Sequence, residues 1–219
     1  MFDALAAFGR HTNELYTAVL ADTLDGLGHG TSALPPRVRP LAPHWKILGR
    51  AVTLDMAPVN RVPEKPYEVE MACIDSLRAG DVLVITTNGE MQSAVWGELL
   101  STACHARKAV GVVLDGLTRD TEKILAMDYP VFAAGFTPLD SKGRLDGVSF
   151  NKPIKVGACT VHRGDWVFGD IDGVIVIPAG LAEQAFAQAL EKVRGENLVR
   201  EELAAGKSVR ETFAKHGIL

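Results

Sequence analysis

The sequence predicts an α/β fold that mixes parallel and antiparallel strands, on three observations. Short continuous apolar runs such as Val82–Ile85 and Val110–Leu114 suit strands buried on both faces. Through the middle of the chain these runs alternate with segments of helical spacing, the pattern of parallel strands joined by helices. After Gly135 the texture changes to short β-prone pieces split by turn signals, which suits antiparallel pairing.

The elements follow in order. Thr12 to Leu27 places Leu15, Val19, Leu20, Leu24 and Leu27 at helical spacing, and Gly26, Gly28 and Gly30 end that helix. Pro35, Pro36, Pro40 and Pro43 keep the next segment extended or looped. Ile47 to Met56 reads as a strand, and Tyr67 to Leu77 as a helix closed by Ala79-Gly80. Asp81 leads into the Val82–Ile85 strand. Gly97 to Arg107 is a helix, Val110 to Leu114 a strand, Thr118 to Ala126 a short helix and Pro130 to Ala133 another strand. Val148–Phe150, Ile154–Val156, Cys159–Val161 and Val174–Ile177 are the later β pieces, separated by Arg163-Gly164-Asp165 and Asp172-Gly173. A long helix runs from Leu181 to about Ala205 and a last one from Ser208 to about Lys215, where Ser208 and Glu211 have capping-box spacing.

A chain of 219 residues suffices for one good core and is short for two, so one domain over 1–219 is expected. A net charge of −4 argues against nucleic acid, whose phosphates want a basic face. Cys73, Cys104 and Cys159 are far apart, odd in number and set in apolar segments, so they read as small buried hydrophobes. Met1 to Arg10 lacks the basic-then-apolar layout of a signal peptide, and no apolar run reaches the ~20 residues of a membrane span. A reducing cytoplasm is the expected compartment.

The chemistry concentrates in two places. Gly97-Glu98-Leu99-Leu100 and Leu114-Asp115-Gly116-Leu117-Thr118-Arg119-Asp120 set acids and an arginine at the edges of two strand-to-helix turns. Such turns offer backbone N–H groups to anions, and carboxylate oxygens suit a hard cation such as Mg²⁺. In open α/β sheets the carboxyl ends of strands are where ligands bind. A metal, an arginine and free amides are together what a small 2-oxo acid needs. Each feature also has a structural explanation. Asp115-Gly116 makes an ordinary turn, Glu98 suits the positive end of a helix, and Glu196 with Arg200 makes a surface pair four residues apart. His105, His162 and His216 have no mutual metal-type spacing, and no HExxH, GxSxG, phosphate-binding loop or dinucleotide fingerprint occurs.

Trp96-Gly97-Glu98-Leu99-Leu100-Ser101-Thr102-Ala103 followed by Gly111-Val112-Val113-Leu114-Asp115-Gly116-Leu117-Thr118-Arg119-Asp120 resembles one known family. It contains regulator of ribonuclease E activity A and 4-hydroxy-4-methyl-2-oxoglutarate aldolase. Asp22-Thr23-Leu24-Asp25, Tyr129–Phe132, Gly164–Val167, Asp172–Pro178 and the tail from Glu196 to Gly217 extend the likeness over nearly the whole chain. The resemblance implies an α/β/β/α sandwich related to the swivelling domains of phosphohistidine proteins. It also implies trimers or hexamers with sites shared between subunits, the C-terminal helices (about 181–216) packing at a subunit interface.

The aldolase branch of that family cleaves 4-hydroxy-2-oxo acids to pyruvate with Mg²⁺ or Mn²⁺ and also decarboxylates oxaloacetate. Carried onto this sequence, the resemblance makes Asp120 the direct metal ligand. Arg119 becomes the catalytic residue facing the keto oxygen, and Glu98 and Glu196 hold metal-bound waters. Gly97, Leu99 and Leu100, with Arg119, bind the substrate. The alternative is the family's other branch, a non-catalytic regulator that binds ribonuclease E and lacks part of this acid set. Three departures stand out: Glu98 where some aldolases carry aspartate, Lys108 where glycine is common, and His162-Arg163 in place of the usual proline.

Overall fold

The computed structural model describes residues 9–218, so most of the segment read as lacking a signal peptide lies outside the described residues. A 3₁₀ turn at Gly9–His11 precedes helix α1 (Thr17–Gly26). Strands β1 (Arg39–Pro40) and β2 (Ile47–Pro58), helix α2 (Glu68–Asp75), strands β3 (Asp81–Thr86) and β4 (Ala94–Trp96), and helix α3 (Glu98–Ala106) follow. Next come β5 (Gly111–Leu114), β6 (Leu117–Thr118), α4 (Thr121–Ala126), β7 (Val131–Ala133) and β8 (Gly135–Phe136). The remainder holds β9 (Leu145–Phe150), β10 (Ile154–Val156), β11 (Cys159–Val161), β12 (Trp166–Asp170), β13 (Gly173–Ile177), α5 (Ala182–Ala204) and α6 (Val209–His216).

The main sheet has the order β1-β7-β5-β3-β2-β12-β13, with β9 also paired to β2. Strands β2, β3, β5 and β7 are mutually parallel, whereas β1, β9, β12 and β13 pair antiparallel. The change of texture after Gly135 is therefore a real change of pairing. Strand β1 also touches β12 and β13, so the sheet curls until its ends approach each other and is nearly a closed barrel.

Alternation along the strands builds the layers. In β3, Val82 and Val84 point to the interior of the curl with Ile47, Val113, Phe132 and Val176, and the β10–β11 hairpin closes that interior with Ile154, Val156 and Val161. Leu83 and Ile85 point outward to α2, α3 and α4, where Ile74, Cys104 and Ile124 cover them. On the opposite wall Leu48, Trp166 and Phe168 meet α1 and α5 through Leu20, Leu24 and Phe186. Helices, strands, inner core, strands and helices thus stack in the expected α/β/β/α order.

Two helix starts and one unforeseen strand differ from the sequence-based expectation for visible reasons. Helix α1 starts at Thr17 rather than Thr12, because the Thr17 N–H and hydroxyl both donate to Asp170 at 2.8 and 2.7 Å. The short helix expected from Thr118 starts at Thr121, because Leu117 and Thr118 pair with β4 and β8. Trp166–Asp170, not expected as a strand, is a central one between β2 and β13. Its Gly169 hides the pattern, and Phe132 and Ile47 fill the space a side chain would take.

The three cysteines are buried and unbridged, and burial pushes their thiols up to about 11 or 12. This is the behaviour of packing groups rather than reactive ones. Lys108 adopts φ 61°, a left-handed conformation that explains why glycine suits that position. Among the described residues no helix is long and apolar enough to cross a membrane.

Candidate active site

Each of the parallel strands β3, β5 and β7 runs on, past its carboxyl end, into a short strand of a second sheet, β4-β6-β8. That small sheet is itself parallel and carries the residues singled out above. Trp96 ends β4 and is buried, its indole N–H donating to Ser101 Oγ at 2.8 Å while Ser101 Oγ donates to the Gly97 carbonyl at 3.0 Å. This pair fixes the turn from β4 into α3. The Arg119 N–H donates to the Trp96 carbonyl at 3.0 Å, so the segment after β6 is locked beside the same turn.

Asp120 is the N-cap of α4 with φ 55°, a left-handed conformation that aspartate tolerates. Its Oδ2 accepts the Glu98 N–H at 3.3 Å, which ties the first turn of α3 to the start of α4. Oδ1 has no hydrogen-bond partner among the described residues. Arg119 Nε lies 3.8 Å from Asp120 Oδ2, and Arg119 Nη2 lies 3.3 Å from Asp140 Oδ1. Gly97 is required by space: a Cβ there would stand 2.7 Å from Asp120 Oδ2.

Helix α3 begins at Glu98 without a side-chain cap. Leu99 and Leu100 therefore present first-turn amides that no carbonyl of the helix can reach. These residues, with Gly97, Arg119 and Asp120, line a cavity of about 260 Å³. That is small for a ligand pocket, where about 300–1,000 Å³ is usual, and suits a compact acid. Glu98 lies at the edge of this site, where its Oε1 accepts the Thr102 hydroxyl at 2.9 Å. The structure thus brings together Gly97, Glu98, Leu99, Leu100, Arg119 and Asp120.

Glu196 is elsewhere in the subunit. It lies on α5, in a groove shared with Tyr16 and Asp22 of the N-terminal region, and accepts the Tyr16 hydroxyl. The surface pair expected between Glu196 and Arg200 does not form. The Tyr16 hydroxyl takes the glutamate, and Arg200 donates to Asn197 instead. Asp115 also serves structure: buried, it accepts the Thr87 N–H at 2.6 Å and the Thr87 hydroxyl at 3.0 Å.

Three residues of the cavity carried no sequence signal. Asp140, in the loop after β8, bridges Arg119 to the Tyr67 hydroxyl, which donates to Asp140 Oδ2 at 2.8 Å. Tyr67 caps α2 at φ 64°, a strained conformation for a bulky residue, and burial with the Asp140 contact pushes its hydroxyl up to about 12. Glu70 also lines the cavity and is only 2% exposed, yet its Oε1 has no hydrogen-bond partner. Burial first, then the charges of Asp146 and Asp140, raise its carboxyl to about 8. None of the three stands in a recognisable motif.

Among the described residues, no three His, Cys, Asp or Glu side chains converge closely enough to hold a metal unaided. The local donors are carboxylates, Asp120 with Glu98 beside it. This oxygen set fits a hard divalent cation that keeps several waters and borrows ligands from its substrate.

Comparison with known proteins places the chain among relatives of one family. DlpA of Legionella pneumophila is 28% identical over 195 residues, 89% of this chain, which spans only 31% of that protein. A protein of Halalkalibacterium halodurans provisionally named 4-hydroxy-4-methyl-2-oxoglutarate aldolase is 32% identical over 178 residues, 80% of this chain and 79% of that one. The crystal structure of Streptomyces coelicolor RraAS2, described as an unusual member of the RNase ES inhibitor RraA family, superposes with a TM-score of 0.81. The match has 26% identity and covers 88% of this chain and 96% of that one. The model of the RraA-like family, Aldolase/RraA, matches residues 17–176, and the chain belongs to that family.

Proposed function

We propose that the protein is a divalent-metal-dependent carbon–carbon lyase. It cleaves 4-hydroxy-2-oxo acids such as 4-hydroxy-4-methyl-2-oxoglutarate to pyruvate and a second 2-oxo acid, and decarboxylates oxaloacetate through the same pyruvate enolate. The observation that supports this best is the meeting of Arg119, Asp120 and the uncapped first turn of α3 around one small cavity.

In this reading the amides of Leu99 and Leu100 bind the substrate carboxylate at the positive end of α3. Arg119, held by Asp140 on one side and Asp120 on the other, faces the keto oxygen. Negative charge grows there as the C3–C4 bond breaks, and a preoriented guanidinium stabilises it without reorganising. Asp120 would hold Mg²⁺ or Mn²⁺, with Glu98 and Glu196 placed to contribute through water, and the ion would supply Lewis acidity to the 2-oxo acid. Glu98 or the Glu196 of a neighbouring copy would orient the water that takes up the single proton of the 4-hydroxyl.

This assignment needs a homo-oligomer, a trimer or hexamer, because Glu196 is remote from Arg119 within one chain. The C-terminal helices would then pack at the subunit interface. The buried free cysteines suit a cytoplasmic enzyme.

Pyruvate release tests the proposal, from oxaloacetate, from 4-hydroxy-4-methyl-2-oxoglutarate and from 4,5-dihydroxy-2-oxopentanoate, with Mg²⁺ or Mn²⁺ and again with EDTA. Controls carry metal without protein, since free ions decarboxylate oxaloacetate. Metal-dependent cleavage of an aldol substrate is expected. A folded oligomer that turns over none of the three, yet binds a ribonuclease E, would favour the regulator reading suggested by the likeness to RraAS2.

A further inference from the structure

A guanidinium on a long rotatable stem keeps one direction only when its nitrogens are held. Arg119 is held at both ends, and unequally. Nη2 lies 3.3 Å from Asp140 Oδ1, whereas Nε lies 3.8 Å from Asp120 Oδ2. Asp120 Oδ2 also accepts the Glu98 N–H, so Asp140 is the carboxylate given over to the guanidinium. Nη1 has no partner among the described residues and is left for a ligand.

Asp140 sits in a loop and is itself only half-buried. Its main chain is fixed on both sides. The Leu139 carbonyl accepts the Ala94 N–H at 2.8 Å, and the Asp140 carbonyl accepts Arg144 Nη1 at 2.8 Å. Neither contact fixes the rotation of the carboxylate. The Tyr67 hydroxyl does, donating to Oδ2 at 2.8 Å and leaving Oδ1 to Arg119. Tyr67 reaches that place from a left-handed conformation, φ 64° and ψ 9°, which is sterically costly for a bulky residue and easy for glycine. Asp146 Oδ1 accepts its N–H at 3.1 Å, and its carbonyl accepts the Met71 N–H at 2.8 Å. Strain held in place this way at a cavity wall is a sign of use.

We propose that Tyr67 is a positioning residue of this site: acting through Asp140, it sets the direction in which the Arg119 guanidinium meets the substrate. The inference rests on the lyase reading for what Arg119 faces. Burial and Asp140 push the Tyr67 hydroxyl up to about 12, so it stays a donor at neutral pH. Without it the Asp140 carboxylate turns freely and Arg119 keeps its charge but not its aim. Stabilisation of growing charge depends on that aim, whereas the substrate carboxylate, bound at the α3 amides, does not.

Tyr67→Phe removes one oxygen and keeps the ring and the backbone. A double-mutant cycle of Tyr67→Phe, Asp140→Ala and the two combined tests the route through Asp140. In the pyruvate assay Tyr67→Phe is expected to lower kcat by about 10–100-fold with KM within about twofold. The combined variant should be no slower than Asp140→Ala alone. Losses that multiply in the combined variant overturn the inference, because Tyr67 would then act by another route. So does an unchanged kcat in Tyr67→Phe, or a raised KM with kcat unchanged. Calorimetric titration of oxalate, a planar dianion shaped like the pyruvate enolate, repeats the cycle with Mg²⁺ present and without turnover. Weaker oxalate binding in Tyr67→Phe, with no further loss in the combined variant, supports the positioning role even where no pyruvate is released and the lyase reading fails. Equal oxalate affinity in Tyr67→Phe and the unaltered protein, or no oxalate binding by either, overturns it. Metal-dependent cleavage with multiplying losses leaves the lyase and removes the role of Tyr67.

Discussion

Gly97 has no room for a side chain, because the carboxylate that the proposed metal needs occupies the space. In Gly97→Ala the new methyl would fall 2.7 Å from Asp120 Oδ2, so the carboxylate must swing away. The fold should survive while metal-dependent turnover drops, which circular dichroism and the pyruvate assay would show together. Arg119→Ala removes the group that faces growing charge, and a loss in kcat of about 10²–10³-fold is expected, as for other deleted oxyanion donors. Unchanged kcat with a raised KM would instead make Arg119 a simple binding residue.

Glu70 makes a prediction independent of any substrate. Its carboxyl is raised to about 8 in the folded protein against an ordinary value of 4.5. The folded state therefore holds a proton that the unfolded state has released between these values, and stability falls as pH rises through that window. Glu70→Gln should match the unaltered protein near pH 4.5 and exceed it near pH 9, by an amount on the order of a few kcal/mol. Urea unfolding at the two pH values measures it. A difference that does not change with pH would show that the carboxyl is not held protonated.

The elements show why some of this was legible in the sequence. Val82–Ile85 and Val110–Leu114 are apolar on both faces because inner core and helices cover both sides, and this is what continuous runs signal. Ser208 caps α6 by accepting the Glu211 N–H, a local rule visible in two letters. Strands β4, β6 and β8 span only two or three residues and exist because neighbouring segments pair with them. No local pattern announces such strands. The Arg119-Asp120 pair was visible as chemistry at the start of a helix, but the short strand β6 just before it was not. Glu70 looked like any glutamate of an amphipathic helix. Its burial comes from β9 crossing α2, where Gly147 lies so close that a Cβ would meet Val69 at 2.8 Å.

Loop ties belong to this scale as well. Asp115 holds the end of β3 to the end of β5 through Thr86 and Thr87. Asp115→Ala would leave a buried N–H and hydroxyls unpaired, and a loss of about 1–3 kcal/mol is expected in chemical unfolding. An effect within 0.5 kcal/mol, the range of about ±0.5 typical of surface changes, would show that water replaces the carboxylate there without cost.

At the scale of the whole molecule, one subunit offers two halves of the proposed machinery on different faces. Arg119 and Asp120 line one cavity, and Glu196 lines another groove with Tyr16. If neighbouring copies bring the halves together, mixing Arg119→Ala with Glu196→Ala subunits should restore part of the activity that each variant lacks alone. Verified mixed oligomers with no recovery would place Glu196 outside the site.

The most direct measurement is the rate of pyruvate release against Mn²⁺ concentration, for the unaltered protein and for Asp120→Ala, using the 4-hydroxy-2-oxo acid turned over fastest. Saturable dependence on Mn²⁺ in the unaltered protein and none above the metal-only control in Asp120→Ala is the expected result. Equal rates and equal Mn²⁺ dependence in the two proteins would contradict the assignment of this site.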